Sequence, residues 1–367
     1  MNPKFQQLLA QATHLTRAGD LRAATAAIQA ALLQTPDTPP SPHAPGAADE
    51  PGEIIDVQAR EIPNVAPERA QLEPDSSEPA PLGRSSFSTH TLAQGGTQRD
   101  YKLFVPPQAG ERPLPLVVML HGCTQNPDDF AAGTAMNDAA LAQGFYVLYP
   151  AQSRKANPQG CWNWFKHTHQ QRDRGEPGLI AAMTREVMAR HRVDADRVYV
   201  AGLSAGGAMA AIVGELYPEL FAAVGVHSGL AANAAADLPS ALAAMKGATA
   251  SPKPAAGGGS GVPTIVFHGD ADSTVHARNG ASVVFSATGQ VEPSETEHVQ
   301  GAGRRHATRH LHCHADGRVL AEHWVVHGGS HAWFGGSPQG SYTDASGPDA
   351  TEEMLRFFFE HPRKPAH

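Results

Sequence analysis

Three cysteines in 367 residues, Cys123, Cys161 and Cys313, are too few for a disulfide framework, and the odd count leaves at least one thiol free. Basic clusters are missing as well. The formal net charge is −8, and with no Lys/Arg run and no zinc-finger spacing the chain has no electrostatic footprint for nucleic acid. The N-terminus also lacks a long apolar run: Met1 to Gln11 is interrupted by glutamines, and no small-residue cleavage site follows, so neither a signal peptide nor a transmembrane helix is expected. These absences favour the cytoplasm, with export by another route left open. What is present is a chain with 41% hydrophobic content, 36 glycines and 30 prolines, long enough for one large core and an appendage.

Residues 1–34 read as a helical hairpin. Phe5, Leu8, Leu9, Ala12 and Leu15 share one face, Ala18-Gly19-Asp20 breaks the period, and Leu21, Ala24, Ile28, Ala31 and Leu32 resume it. One hairpin cannot bury its stripe alone, so it must dock on the main domain, on a copy of itself, or on a granule surface or protein partner. Residues 35–83 are rich in Pro, Ala, Ser and Glu without apolar periodicity, and are expected to be a disordered linker. Ser251 to Ser260 reads as a mobile surface loop.

Residues 84–362 alternate strand and helix. A hairpin through Gly95-Gly96 is followed by the apolar run Leu116 to Leu120, a helix over 128–143, the strand Phe145 to Leu148, and a helix over 178–191. The apolar runs Val198 to Val200, Phe221 to Val226 and Thr264 to Phe267 come next, then a strand pair across Asp316-Gly317 and a last helix over 350–359. Continuous apolar strands separated by helices imply a mostly parallel sheet covered on both faces, and the fold class expected is α/β, an α/β-hydrolase.

Gly202-Leu203-Ser204-Ala205-Gly206 sits between the strand Val198 to Val200 and a small-residue segment, the context of a nucleophile elbow. A serine alcohol is a poor nucleophile at neutral pH, so it needs a base within reach and donors for the oxyanion. In this fold the acid follows the serine and the histidine follows the acid. The acid lies in His268-Gly269-Asp270-Ala271-Asp272, after the strand Thr264 to Phe267; the H-G-x-x-D-x-x-V pattern favours Asp272, with Asp270 as the alternative, a turn residue. The base is expected at His331, in a Gly-rich loop after Trp324-Val325-Val326, rather than at His327, which reads as the end of that strand. The oxyanion hole should draw on Ala205 N–H and on a donor from His121 to Gln125, foremost Cys123 N–H.

Several segments in one order carry a family resemblance: His121-Gly122-Cys123-Thr124-Gln125, Cys161-Trp162-Asn163-Trp164-Phe165, Arg197 to Met209, His227-Ser228-Gly229, Gly329-Ser330-His331-Ala332-Trp333 and Gly347-Pro348-Asp349-Ala350. Over residues 84–362 the chain resembles the polyhydroxybutyrate depolymerase family of esterases, which also includes feruloyl and acetyl-xylan esterases. That resemblance implies a triad of Ser204, Asp272 and His331, an oxyanion hole at Cys123 and Ala205, and no cofactor. It further implies that Cys123 and Cys161 lie close enough for a disulfide beside the site. Trp333 and Trp162 are expected to line a substrate groove, and Trp164 to pack in the core. The substrate expected is a short-chain hydroxyalkanoate polyester or its oligomers, with a carbohydrate-attached acyl or feruloyl ester as the alternative. A reading from another class is a granule- or partner-binding protein with a weak hydrolase domain. His310, His312 and His314 would share one strand face, but without a further ligand pair they are read as a polar edge and not as a metal site. The sequence assigns no role to Glu176.

Overall fold

The computed structural model describes residues 83–94, 96–248, 259–300 and 305–363. The hairpin expected over 1–34, nearly all of the linker expected over 35–83, and most of the loop over 251–260 lie outside them.

The apolar runs become the centre of a sheet because each is covered on both faces. Strand β3 (Leu114–Leu120) is buried along its whole length, with Leu116, Val118 and Leu120 in one core and Val117 and Met119 in the other. Its neighbours are β4 (Tyr146–Pro150) and β5 (Val193–Leu203), and β6 (Ala223–His227), β7 (Thr264–Gly269) and β10 (Val319–Val326) continue the parallel centre. Antiparallel strands close both edges: β1 (Ser86–Gln94) and β2 (Thr97–Val105) beside β4, and β9 (Ala307–Cys313) and β8 (Glu295–Val299) beside β10. The full order is β1-β2-β4-β3-β5-β6-β7-β10-β9-β8.

One face carries α3 (Gly175–Arg190), α4 (Ala205–Leu216), α5 (Leu238–Met245) and α6 (Arg278–Thr288), which supply Ile180, Met209, Ala241 and Val283 to its core. The other carries α1 (Pro127–Thr134), α2 (Met136–Gln143) and α7 (Ala350–Glu360), through Phe130, Met136, Met354 and Phe358. The single helix expected over 128–143 is two, because Ala135 turns left-handed at φ 51° and ends the first. Helices α5 and α6 and strand β8 were not expected from the sequence. Strand β8 reads Glu-Thr-Glu-His-Val, a mostly exposed edge with little apolar signal, and α6 mixes Gly, Ser, Thr and Val, so packing of Val283 and Val284 holds it more than intrinsic propensity does. Since β3, β5, β7 and β10 run parallel, the loops leaving them gather at one edge of the sheet, where a parallel α/β sheet places functional groups.

Candidate active site

Ser204 stands between β5 and α4 with φ 57° and ψ −118°, a conformation an L-residue holds only when its surroundings impose it. The surroundings are the flanking glycines. A Cβ on Gly206 would sit 2.0 Å from Leu120 O, so only glycine lets α4 approach β3 this closely. Ser204 N donates to His227 O at 2.8 Å, locking the turn to the end of β6.

Asp272 leaves β7 in a turn closed by its own side chain. Oδ1 accepts from Thr274 N and Val275 N, each at 2.8 Å. Oδ2 accepts from His331 Nδ1 at 2.7 Å, and His268 Nε2 lies 3.5 Å from the same oxygen. Burial pushes this carboxyl up, but the donors from His268, His331 and Val275 outweigh burial and hold it below the usual carboxylate range. Because the carboxylate only accepts, His331 Nδ1 carries the proton and Nε2 is left free as a base.

The two loops are stitched together by backbone. Asp270 N donates to Val326 O and Ala271 N to Gly329 O, each at 3.1 Å, and a Cβ on Gly269 would meet Gly329 O at 2.1 Å. Asp270, the alternative acid, instead accepts from Gly328 N at 2.7 Å and pairs with His327 Nδ1 at 2.9 Å. It is the turn residue of this pair, and it clips the His331 loop from outside.

The segment after His331 lies over the serine's neighbour. Phe334 N donates to His227 Nε2 at 3.0 Å, and the Trp333 and His227 rings stack at 4.9 Å. A backbone N–H can only donate, so His227 Nε2 is the bare nitrogen; burial keeps this ring neutral, pushing it well below its ordinary value. Among the described residues no hydrogen bond joins Ser204 to His331, a contact that in this kind of site often tightens only around substrate.

The loop after β3 is held from two sides. On one, Gln125 Oε1 accepts from Gly122 N at 2.9 Å while Gln125 Nε2 donates to Asp129 Oδ2 and Ser341 O, each at 3.0 Å. On the other, Cys123 is joined to Cys161 by a disulfide, Thr124 N donates to Gln159 O at 2.8 Å, and Trp162 Nε1 donates to His121 O at 3.0 Å. His121 is buried and pushed down by desolvation; its Nε2 accepts from Gln152 N at 3.2 Å, and Nδ1–H donates to Gly122 O at 2.8 Å. Cys123 N–H has no acceptor among the described residues, and Ala205 N–H, at the first position of α4, has none within its helix.

Trp162 and Trp333 are 3% and 1% exposed, and their indole N–H groups are spent on His121 O and Thr351 Oγ1. The structure therefore corrects the expectation that they line a groove: both are packed props behind the loops. Trp164 is buried as well. His310 Nδ1 bonds Thr296 Oγ1 at 3.0 Å, His314 falls beyond the end of β9, and among the described residues no three His, Cys, Asp or Glu side chains are grouped as metal ligands. The sequence left the role of Glu176 open; it is a buried carboxylate that accepts from Gln152 and Asn163 and faces His169 Nδ1 at 3.3 Å, and although burial pushes it up, these partners keep it below its ordinary value. The signal available was a Glu one residue past Gly175 in the first turn of a helix, which alone points to helix capping charge and nothing more.

The sheet order and the loops gathered at its edge are those of the α/β-hydrolases. Among solved structures the chain is similar to an acetyl xylan esterase from Aspergillus awamori (TM-score 0.57, 19% identity, 74% of this chain and 99% of that one). It is also similar to an S-formylglutathione hydrolase from Agrobacterium tumefaciens (TM-score 0.50, 16% identity, 78% and 99%). The chain belongs to the family described as Esterase PHB depolymerase, which matches residues 99–309. Poly(3-hydroxyalkanoate) depolymerase C of Paucimonas lemoignei is 33% identical over 272 residues, 69% of this chain and 64% of that protein. Feruloyl esterase B of Neurospora crassa is 33% identical over 129 residues, 35% and 43%. The chain thus spans less than two thirds of the length of these relatives.

Proposed function

We propose that this chain is a serine esterase acting on short-chain polyhydroxyalkanoate polyesters, such as polyhydroxybutyrate, or their oligomers. Ser204 Oγ attacks the ester carbonyl while His331 Nε2 takes its proton. His331 then returns that proton to the leaving alcohol, and water repeats the cycle on the acyl-enzyme. Asp272 holds the imidazole in the tautomer that leaves Nε2 free and stabilises its cation; the N–H groups of Ala205 and Cys123 bind the tetrahedral oxyanion. The observation that carries this reading is the 2.7 Å bond from His331 to the buried Asp272, on a loop anchored to His227, whose carbonyl holds the strained Ser204. The polyester substrate is favoured by the similarity to a depolymerase over 272 residues.

A second reading, a carbohydrate-attached feruloyl or acetyl ester, has support in the shorter similarities to feruloyl and acetylxylan esterases. The test compares release of 3-hydroxybutyrate from amorphous polyhydroxybutyrate with turnover of p-nitrophenyl butyrate and methyl ferulate, using wild type and Ser204→Ala. Polymer turnover lost with Ser204→Ala is the expected result. Turnover of the small esters alone moves the substrate to the second reading. No Ser204-dependent turnover of any substrate leaves the chain as a granule- or partner-binding protein, with residues 1–34 the segment to delete next.

A further inference from the structure

Three carboxylates are buried among the described residues: Asp272, Glu322 and Glu176. Asp272 faces His331 and His268, and Glu322 faces Arg356 at 2.7 Å and Arg309 at 3.4 Å. Glu176 has no Lys or Arg within ion-pair distance among the described residues, and the one titratable cation candidate beside it is His169 at 3.3 Å. A carboxylate taken out of water without a cation costs several kcal/mol unless hydrogen bonds satisfy its lone pairs, so its partners indicate what the charge is kept for.

Every partner is a nitrogen of one neighbouring assembly. Oε1 accepts from Gln152 Nε2 at 2.5 Å and from Asn163 Nδ2 at 2.6 Å; Oε2 accepts from Asn163 N at 2.7 Å and faces His169 Nδ1 at 3.3 Å. Gln152 Nε2 is shared with Cys161 O at 2.9 Å, and Gln152 N donates to His121 Nε2 at 3.2 Å. The carboxylate therefore clamps residues 161–163 from two sides. That segment is in turn fastened to the loop after β3, by the Cys161–Cys123 disulfide and by Trp162 Nε1 on His121 O.

We propose that Glu176 is a positioning residue for the oxyanion hole, holding Cys161-Trp162-Asn163 and Gln152 so that Cys123 N–H points at the site above Ser204. The inference rests on the esterase reading and names a residue that reading does not use. Glu176 touches no reacting atom. It acts through rigid links, and a donor misplaced by a fraction of an ångström loses much of its value to a developing oxyanion. The chemistry also explains why the residue is a carboxylate: four nitrogens converge on two oxygens, and an amide there would turn an NH₂ toward donors.

The test is the full-length chain with Glu176→Gln and Glu176→Asp, each normalised to active sites titrated with a fluorophosphonate. With p-nitrophenyl butyrate, kcat per titrated site should fall about tenfold to a hundredfold, up to the lower end of what outright loss of one oxyanion donor costs because the donor is misplaced and not removed, while KM moves less than about threefold. Affinity for a trifluoromethyl ketone analogue of the substrate, whose bound hemiketal carries an oxyanion, should fall by the same factor, and inhibition by butyrate should not change. A role in stability alone would lower the melting temperature and the titratable fraction but leave kcat per site and ketone affinity at wild-type values; that result overturns the proposal. Should both variants fail to fold, Gln152→Met removes one arm of the clamp and is read by the same split, a fall in kcat and ketone affinity supporting the proposal and unchanged values overturning it. Ser204→Ala separates the two levels. If it is inert while the clamp variants keep full kcat per site, only this inference fails; if it retains turnover, the esterase reading fails and the clamp falls with it.

Discussion

His331 Nδ1 and Asp272 Oδ2 meet at 2.7 Å although 59 positions separate them in the chain, and they meet because backbone hydrogen bonds join the loops leaving β7 and β10. The carboxylate is fully withdrawn from water and already saturated on its other oxygen by Thr274 N and Val275 N. It has one orientation available, and so has the imidazole.

Asp272→Asn should therefore cost far more than Asp270→Asn. An amide can turn its NH₂ toward the imidazole and favour the tautomer with the proton on Nε2, so kcat for p-nitrophenyl butyrate should drop by about a thousandfold or more. Asp270 is about half exposed and only clips the His331 loop, so its loss should cost no more than about tenfold. Steady-state kinetics of the two variants checks this: equal losses would remove the distinction between the two carboxylates, and a larger loss in Asp270→Asn would reverse the assignment of the acid.

Gly206→Ala should prevent stable folding or cost about 3 kcal/mol, since the new methyl meets Leu120 O at 2.0 Å and backbone cannot step aside. Gly317→Ala, at φ 82° with open space around it, should cost only about 1 kcal/mol from the strained backbone. Urea denaturation of both variants is the check, and a Gly206→Ala midpoint near that of wild type would refute the close approach.

Phe358→Ala should lose about 3 to 5 kcal/mol, because the ring is fully buried and stacks on Tyr199 at 5.0 Å between α7 and the sheet. Leu242→Ala should fall within about 0.5 kcal/mol of wild type, the residue being 54% exposed on α5. Thermal denaturation distinguishes them.

Stability should decline as pH falls below 6.5, with His323 a named contributor. Burial, with His268, His310 and His312 nearby, lowers this histidine from 6.5 to about 3. Between those values the unfolded chain binds a proton that the folded chain refuses, so the unfolded state is favoured on acidification, by at most about 1.4 kcal/mol per pH unit for one group. Above 6.5 the ring is neutral in both states and contributes no slope. Asp272, depressed instead, contributes stability that is full above the ordinary carboxylate value and is lost progressively as pH falls below it. In His323→Gln the urea midpoint should depend less steeply on pH between 6 and about 4; an unchanged slope would remove His323 from this account.

The parallel centre of the sheet was legible in the sequence because strands buried on both faces must be continuously apolar, as Leu116 to Leu120 and Thr264 to Phe267 are. The elbow was legible for a similar reason: a serine forced to φ 57° under a passing strand needs Gly206 beside it, and that requirement is written in adjacent letters. Strand β8 was not, since an exposed edge strand leaves no apolar imprint, and neither was the break at Ala135, where an ordinary residue takes a left-handed turn.

Chain order and local pattern thus determined the fold class, the position of Ser204 and the loops from which an acid and a base would come. Only the tertiary structure decided that Asp272 and not Asp270 turns inward to His331, that Trp162 and Trp333 are props and not groove walls, and that Glu176 sits buried among the amides behind Cys161. The physical reason is range: a turn or a strand is governed by neighbours along the chain, whereas the partner of a buried charge or an indole N–H comes from whichever distant segment the packing brings within hydrogen-bond reach.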